Sequence, residues 1–391
     1  MTSDELRSTE EVLQKSKAPS KQHSAFRKVR GRSHVFEDDC NRGHAYRLND
    51  LSRRTLSLGR AGADETSSSG RTTSPAPSVY SFNSSDERQV LRQAYGRMVN
   101  SQIESYFLPA DYEEHRRLDL QHQVYTMALG ALYPAAPLVR WALRPRHDRR
   151  PAIMDVGAGS GSWAIDMARE FPYCDVVGVD LVPPRVTGQL PENCRFEIDD
   201  ANLGFSHYRQ TYDVVHARAV SMGVRDFPAL LRELADTLRP GGMLVLGDGE
   251  MQLYDEERQP LQYSERDASW TQRVFFAAYN AMRNRAGGSI DSHSMSPTWL
   301  RAVESLTEVG WDKVFIPVGP WIYANEKEKH LAEMLRANTL AFISGLGPLL
   351  LSEGYLKESV EKMQHEASLE IRDLRVHIYT RWSFAWAMKR F

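Results

Sequence analysis

Ile153-Met154-Asp155-Val156-Gly157-Ala158-Gly159-Ser160-Gly161-Ser162-Trp163 decides how this chain reads. A mostly apolar run short enough for a buried strand enters glycines at alternate positions and leaves as a helix. Glycine there allows a tight turn and lets a ligand approach the backbone. The helix start adds unpaired N–H groups and the positive end of a dipole.

Two ligand classes use such a turn. A dinucleotide site needs G-x-G-x-x-G, whose third glycine would fall at Ser162. The third glycine is instead Gly161, and Asp155 precedes the first by two residues. An acid there would repel a pyrophosphate and suits an ammonium group, which S-adenosylmethionine carries. Downstream, Val176-Val177-Gly178-Val179-Asp180-Leu181 ends a second strand on an acid placed to accept from ribose hydroxyls. Phe196-Glu197-Ile198-Asp199-Asp200-Ala201 ends a third, where Asp200, or alternatively Asp199, is placed to accept from the adenine amino group. An Asp at one strand end is often only a turn former; the ordered series carries the argument.

Working outward, strands at Ala152–Val156, Asp175–Val179, Arg195–Ile198, Tyr212–His216 and Met243–Leu246 alternate with helical faces. One face is Ala164, Met167, Ala168 and Phe171; another is Phe227, Leu230, Leu231, Leu234 and Leu238, closed by Pro240-Gly241-Gly242. That alternation predicts a parallel sheet covered by helices on both sides. Residues 255–308 and 326–370 read as helical, with a sixth strand at Lys313–Val318. The C-terminal run alternates Val376, Ile378, Thr380, Trp382, Phe384, Trp386 and Met388 with polar residues, a strand placed last in the sheet. Upstream, Leu118, His122, Tyr125, Leu129 and Leu132 predict a helix from Asp111 to Tyr133, ended by Pro134 and Pro137. Arg144-Pro145-Arg146-His147-Asp148-Arg149-Arg150 reads as a solvated linker.

The expected organisation is a disordered tail over 1–88, a helical cap or lid over 89–148, and an α/β domain over 149–391 with helical insertions after residue 250. The fold class is a doubly wound, Rossmann-like, seven-stranded and mostly parallel sheet. The tail is rich in Ser, Thr, Arg and Asp and poor in apolar periodicity, too poor to offset ordering entropy. Its basic patch (Lys21, Arg27, Lys28, Arg30, Arg32) reads as a solvated charge run before it reads as a nuclear import signal.

Composition bounds the function. Net charge is -2, which gives no electrostatic case for nucleic acid or an anionic membrane. Three widely spaced cysteines build neither a disulfide framework nor a zinc site, so no metal is expected. No stretch reads as approaching the roughly 18 apolar residues of a membrane span. The polar N-terminus lacks a secretory h-region, so the expectation is a cytoplasmic or nuclear, non-secreted protein.

The Asp-x-Gly-x-Gly-x-Gly turn (Asp155, Gly157, Gly159, Gly161), the strand-end Asp180 and Leu238-Arg239-Pro240-Gly241-Gly242 resemble the motif series of class I S-adenosylmethionine-dependent methyltransferases. Tyr106-Phe107-Leu108-Pro109-Ala110-Asp111, Arg117-Leu118-Asp119-Leu120-Gln121-His122 and Gly161-Ser162-Trp163-Ala164 are similar to the fungal LaeA-like methyltransferases, over roughly residues 95–390. The resemblance implies secondary metabolism, either as a tailoring enzyme with a small-molecule acceptor or as a regulator acting through protein partners. It implies that Tyr106, Arg117 and His122 close over the cofactor, and that Gly157, Ala158, Gly159, Gly161, Trp163, Asp180, Leu181, Ala201 and His216 surround it.

Methyl transfer is an in-line displacement, so alignment and water exclusion are the protein's main tasks. His216 is the best-placed base if the acceptor keeps its proton until attack, and otherwise packs against the cofactor. Arg218 is read as a holder of an anionic acceptor or a structural ion pair, Glu250 as lining the substrate side. Trp163 either covers the cofactor's methionine end or packs the first helix. One expectation is testable directly: a chain starting near Asp86 binds S-adenosylmethionine as the full chain does. Calorimetric titration of both checks this, and loss of binding on truncation contradicts it.

Overall fold

The computed structural model describes residues 90–391 apart from Ser105 and Thr187. The tail expected over 1–88 lies outside the described residues.

Strands β3 (Ala152–Val156), β4 (Asp175–Asp180), β5 (Cys194–Ile198), β6 (Tyr212–Arg218), β7 (Leu238–Tyr254), β8 (Leu306–Pro317) and β9 (Tyr379–Lys389) form one sheet in the order β5-β4-β3-β6-β7-β9-β8. The pairings from β5 through to β7 are parallel, and those of β9 to β7 and β8 are antiparallel. Successive strands build outward in opposite directions from the β3–β6 junction. That reversal opens a crevice beyond the carboxyl ends of these two strands, where open α/β sheets take ligands.

Strand alternation divides the core. Met154 and Val156 pack with Val215, Leu244 and helix α4 (Phe227–Thr237) through Leu230, Leu231 and Leu234. Ile153, Val176, Val214 and Val245 pack on the opposite face, with Trp163 and Met167 of α3 (Ser162–Glu170) and Leu138 of α2 (Ala136–Ala142). A third cluster unites α5 (Trp270–Ala286), α7 (Glu326–Gly345), α8 (Gly347–Ser352) and α9 (Lys357–Arg372). Helix α6 (Ser292–Arg301) lies between α5 and β8 in the chain.

The C-terminal strand is not last in the sheet; β8 takes the edge and β9 lies inside it. The even-numbered face read from the sequence is apolar, but Tyr379, Ala385 and Ala387 bury the other face too. A strand buried on both sides belongs in the interior. The stretch Glu326–Ser352 meets the length and composition of a membrane span, contrary to the sequence reading. Here 56% of its apolar window is buried, and Leu331, Leu335, Ile343 and Leu350 pack into the third cluster.

Before the sheet, β1 (Leu91–Ala94) and β2 (Arg97–Asn100) form a hairpin that the sequence reading did not anticipate. Helix α1 (Tyr112–Leu129) follows, capped by Asp111, which accepts from the Glu114 N–H at 3.1 Å. Arg97 grips the same carboxylate at 2.6 and 2.7 Å, fastening hairpin to helix. The helix stops at Gly130, whose φ of 69° is the left-handed C-cap conformation, and not at the prolines. Pro137 instead lies in the first turn of α2.

The basic connector is not a solvated linker. Arg149 makes a two-pronged contact with buried Asp213 at 2.6 Å on each oxygen, and Arg239 reaches it at 3.0 Å. Asp213 also accepts from the Ala152 N–H at 3.0 Å, pinning the start of β6 to that of β3. Asp213→Ala leaves Arg149, Arg239 and, at 4.0 Å, Arg146 without their shared partner. The expected loss is about 3 kcal/mol, the low end for one-sided removal of a buried pair because the arginines keep some solvent. Urea unfolding of the two proteins measures it, and an unchanged midpoint contradicts it.

Candidate active site

An open cleft of about 970 Å³, counted with its mouth, lies at the β3–β6 reversal. Its floor is the glycine turn. The Gly157 and Ala158 N–H groups donate to the Val179 carbonyl at 2.8 and 3.0 Å, laying the turn across the end of β4. Gly157 has φ of +69°, and a Cβ there would come within 2.2 Å of Val220 Cγ1, so no side chain fits. Gly159 has φ of +55° and its N–H donates to Asp180 Oδ2 at 2.7 Å. The Val182 N–H serves Asp180 Oδ1 at 3.1 Å. Burial pushes the Asp180 carboxyl above its ordinary range, and these N–H donors pull it partly back.

At the end of β3, Asp155 is 3% exposed. It faces His216 directly across the parallel register, with Nδ1 at 2.7 Å from Oδ1. Beside a carboxylate acceptor Nδ1 carries the proton, which leaves Nε2 with the lone pair. Burial holds the imidazole below its ordinary pKa despite Asp155, so the ring stays neutral near pH 7. Its face lies on the Trp163 indole, centroids 3.8 Å apart and planes 12° from parallel. Trp163 is itself fixed by Nε1 donating to the Leu132 carbonyl at 2.8 Å.

Asp199 and Asp200 both line the cleft. Asp200 Oδ1 accepts from the Asn202 backbone and side-chain nitrogens, each at 2.8 Å, and Asp199 Oδ1 from the Asp200 N–H at 2.8 Å. Neither geometry prefers one over the other for an adenine. Leu181, Ala158, Ala201 and Tyr106 also line the cleft. The sequence reading missed Ile103, Gln121, Asn202, Val220 and Val224, which line it too. Leu118 was assigned only to the packed face of α1, yet it also reaches the cleft, and Gln121 follows it by three residues on the same helix. That spacing was the available signal.

Four predicted site residues lie elsewhere. Arg117 does not line the cleft; buried, it pairs with Glu114 at 2.7 and 2.9 Å and meets Asn338 of α7 at 3.5 Å, which docks the cap. His122 lies behind the cleft wall, between Asp166 at 3.0 Å and Arg218 at 3.2 Å. Gly161 caps α3 with φ of +81°, and Phe196 and Pro184 occupy the space above it. Glu250 faces away, bound by Arg381 and Tyr254 at 2.5 Å each. Of the residues assigned to catalysis, His216 and Arg218 remain at the cleft.

A methyltransferase domain family matches residues 125–286. The secondary metabolism regulator laeA of Coprinopsis cinerea is 32% identical over 294 residues, covering 74% of this chain and 72% of that protein. The chain belongs to the LaeA-like methyltransferases. The methyltransferase pytC of Aspergillus terreus is 30% identical, covering 66% of this chain and 74% of that protein. The protein-methionine methyltransferase laeA of Emericella nidulans is 26% identical, covering 91% and 90%.

Membership makes the chain an S-adenosylmethionine-dependent methyltransferase. When bound, that cofactor supplies a methyl group already activated on a sulfonium. The cleft fits it: a turn closed to any Cβ at Gly157, a carboxylate at Asp180 with N–H groups orienting both oxygens, and further carboxylates at Asp155, Asp199 and Asp200. Asp180→Ala removes the charged acceptor that can hold two hydroxyls. The expected loss of cofactor affinity is about 10- to 150-fold, from roughly 1.5–3 kcal/mol for hydrogen bonds to a charged group. Gly159→Val loses more, because a branched side chain resists positive φ and meets Leu118. Titration calorimetry with S-adenosylmethionine and NAD checks both. The site reading requires that NAD not bind, and unaltered affinity in Asp180→Ala defeats it.

Proposed function

We propose that the chain transfers the methyl group of S-adenosylmethionine to a small-molecule acceptor of fungal secondary metabolism. In this reading Asp180 holds the ribose, Asp155 faces the cofactor's ammonium, and Asp199 or Asp200 takes the adenine amino group. The observation that carries it is the placing of His216, which lines the cleft at the end of β6 beside the carboxylates read as holding the cofactor. His216 lines that space as a neutral imidazole with Nε2 available, which suits an acceptor that must lose a proton.

A second reading takes a protein side chain as acceptor. It is favoured by the relative from Emericella nidulans, named for protein methionine, which matches most of this chain. A thioether has no proton to lose, and the clamping of His216 by Asp155 and Trp163 is then purely structural.

Incubation with methyl-labelled S-adenosylmethionine, separately with fungal small-molecule and protein extracts, distinguishes the two. Label in a small molecule, reduced at least tenfold in His216→Gln, is the expected result. Label confined to protein supports the second reading. Binding without label in either fraction replaces both with a cofactor-binding regulator.

A further inference from the structure

The charges around the cleft do not balance within the chain. Asp155, Asp180, Asp199 and Asp200 line it, and Arg218 is the one lysine or arginine among the described lining residues. Arg218 extends from the carboxyl end of β6, two residues beyond His216 and therefore on the same side of the strand. Its guanidinium lies over the Tyr125 ring, 4.5 Å from the centroid, and Nη2 meets His122 Nδ1 at 3.2 Å. No ion pair among the described residues includes it; Asp155, paired with His216, favours its charge only from a distance. Desolvation around it disfavours the charged form. A guanidinium does not give up its proton in a protein, so a cation left this way invites an anion, and its fork is shaped for a carboxylate.

The cofactor assigned under Proposed function carries one carboxylate, attached to the same carbon as its ammonium. If Asp155 faces the ammonium, the carboxylate lies close by, beside the tips of β3 and β6. The geometry points to Arg218 as the residue that holds the methionyl carboxylate of S-adenosylmethionine, with His122 and Asp166 fixing the guanidinium. The tautomer follows. Nδ1 of His122 accepts from Arg218, so Nε2–H donates to Asp166, 3.0 Å away on α3. A residue of the cap and one of the first domain helix thereby set the direction of a side chain from β6. Arg218 then belongs to the cofactor and not to the acceptor, and His122 is a positioning residue.

This rests on the cofactor reading, and two ligands separate the outcomes. S-adenosylhomocysteine has the amino-acid end; 5′-methylthioadenosine keeps the adenine, ribose and thioether and lacks it. Each is titrated calorimetrically against the full chain and against Arg218→Met, Arg218→Lys and His122→Leu. In Arg218→Met, affinity for S-adenosylhomocysteine falls about 10- to 150-fold, the worth of charged hydrogen bonds, while 5′-methylthioadenosine changes less than twofold. Arg218→Lys recovers part of the loss, as a point charge without the fork. His122→Leu shows a smaller loss, about 2- to 13-fold, again confined to S-adenosylhomocysteine. Unchanged S-adenosylhomocysteine affinity in Arg218→Met overturns the proposal and returns Arg218 to the acceptor. Equal losses for both ligands also overturn it, since the residue then only supports the cleft. Binding of neither ligand by the unaltered chain overturns the cofactor reading itself.

Discussion

The hydrogen bond between Asp155 and His216 is the contact on which the sheet's working end depends. A carboxylate 3% exposed at the end of a buried strand needs a donor, because an unpaired charge there costs several kcal/mol. The parallel register supplies one by setting His216 opposite it. Trp163 braces the imidazole from α3, and the Leu132 carbonyl braces Trp163. Two strands, a helix and the segment between α1 and α2 are thereby committed to one arrangement. The glycine turn starts two residues later, from a point already fixed. It docks on the Val179 carbonyl, and Gly159 then orients Asp180.

Strand β6 is held by polar contacts at both ends. Asp213 ties its start to β3 and to the basic connector; His216 and Arg218 tie its other end to β3 and to the cap. Between them Val214, Val215 and Ala217 are packed on the two faces of the sheet. The apolar middle supplies burial, whereas the polar ends determine which partners the strand accepts, since a slipped register would bury both carboxylates without donors. The cap is held by similar means. Ser162 donates to Asp119 of α1 at 2.6 Å, and Arg97 fixes the hairpin to the same helix. A segment that precedes the glycine turn in sequence therefore becomes one wall of the cleft that the turn floors.

Local features were legible in the sequence and long-range partners were not. Strand β3 matches its expected bounds because a short run with a single polar residue, Asp155, between a proline and a glycine leaves few alternatives. The acids at the ends of β3, β4 and β5 were legible because strand, turn and helix repeat at short distance. The place of β9 was not, because alternation reports which face is buried but not which strand lies alongside. Its second buried face is made partly of the small residues Ala385 and Ala387, a weak signal in any periodicity. Arg149 read as solvated because its partner, Asp213, is 64 residues away. Arg117 and His122 belong to the helix whose Leu118 and Gln121 line the cleft, but helical geometry turns these two toward α7 and α3. Glu250 was placed by strand order alone, and its partner Arg381 comes from β9, the strand whose position was misread.

The chain meets the cost of an acidic cleft in a way that bears on turnover. Four carboxylates face one arginine, and like charges in a partly dry cleft repel more strongly than in water. Donors within the chain engage each of the four: His216 for Asp155, the Gly159 and Val182 N–H groups for Asp180, the Asp200 N–H for Asp199 and Asn202 for Asp200. Their residual field still favours a positively charged ligand. S-adenosylmethionine carries two positive charges and one negative; its demethylated product has lost the sulfonium charge. The cleft thus attracts the donor more than the product by electrostatics alone, before any contact to the methyl group is counted. Because Asp180 is held above its ordinary range by burial, the attraction grows as pH rises through that carboxyl's titration. The same acids that organise the glycine turn therefore also weight the cleft toward a cationic ligand.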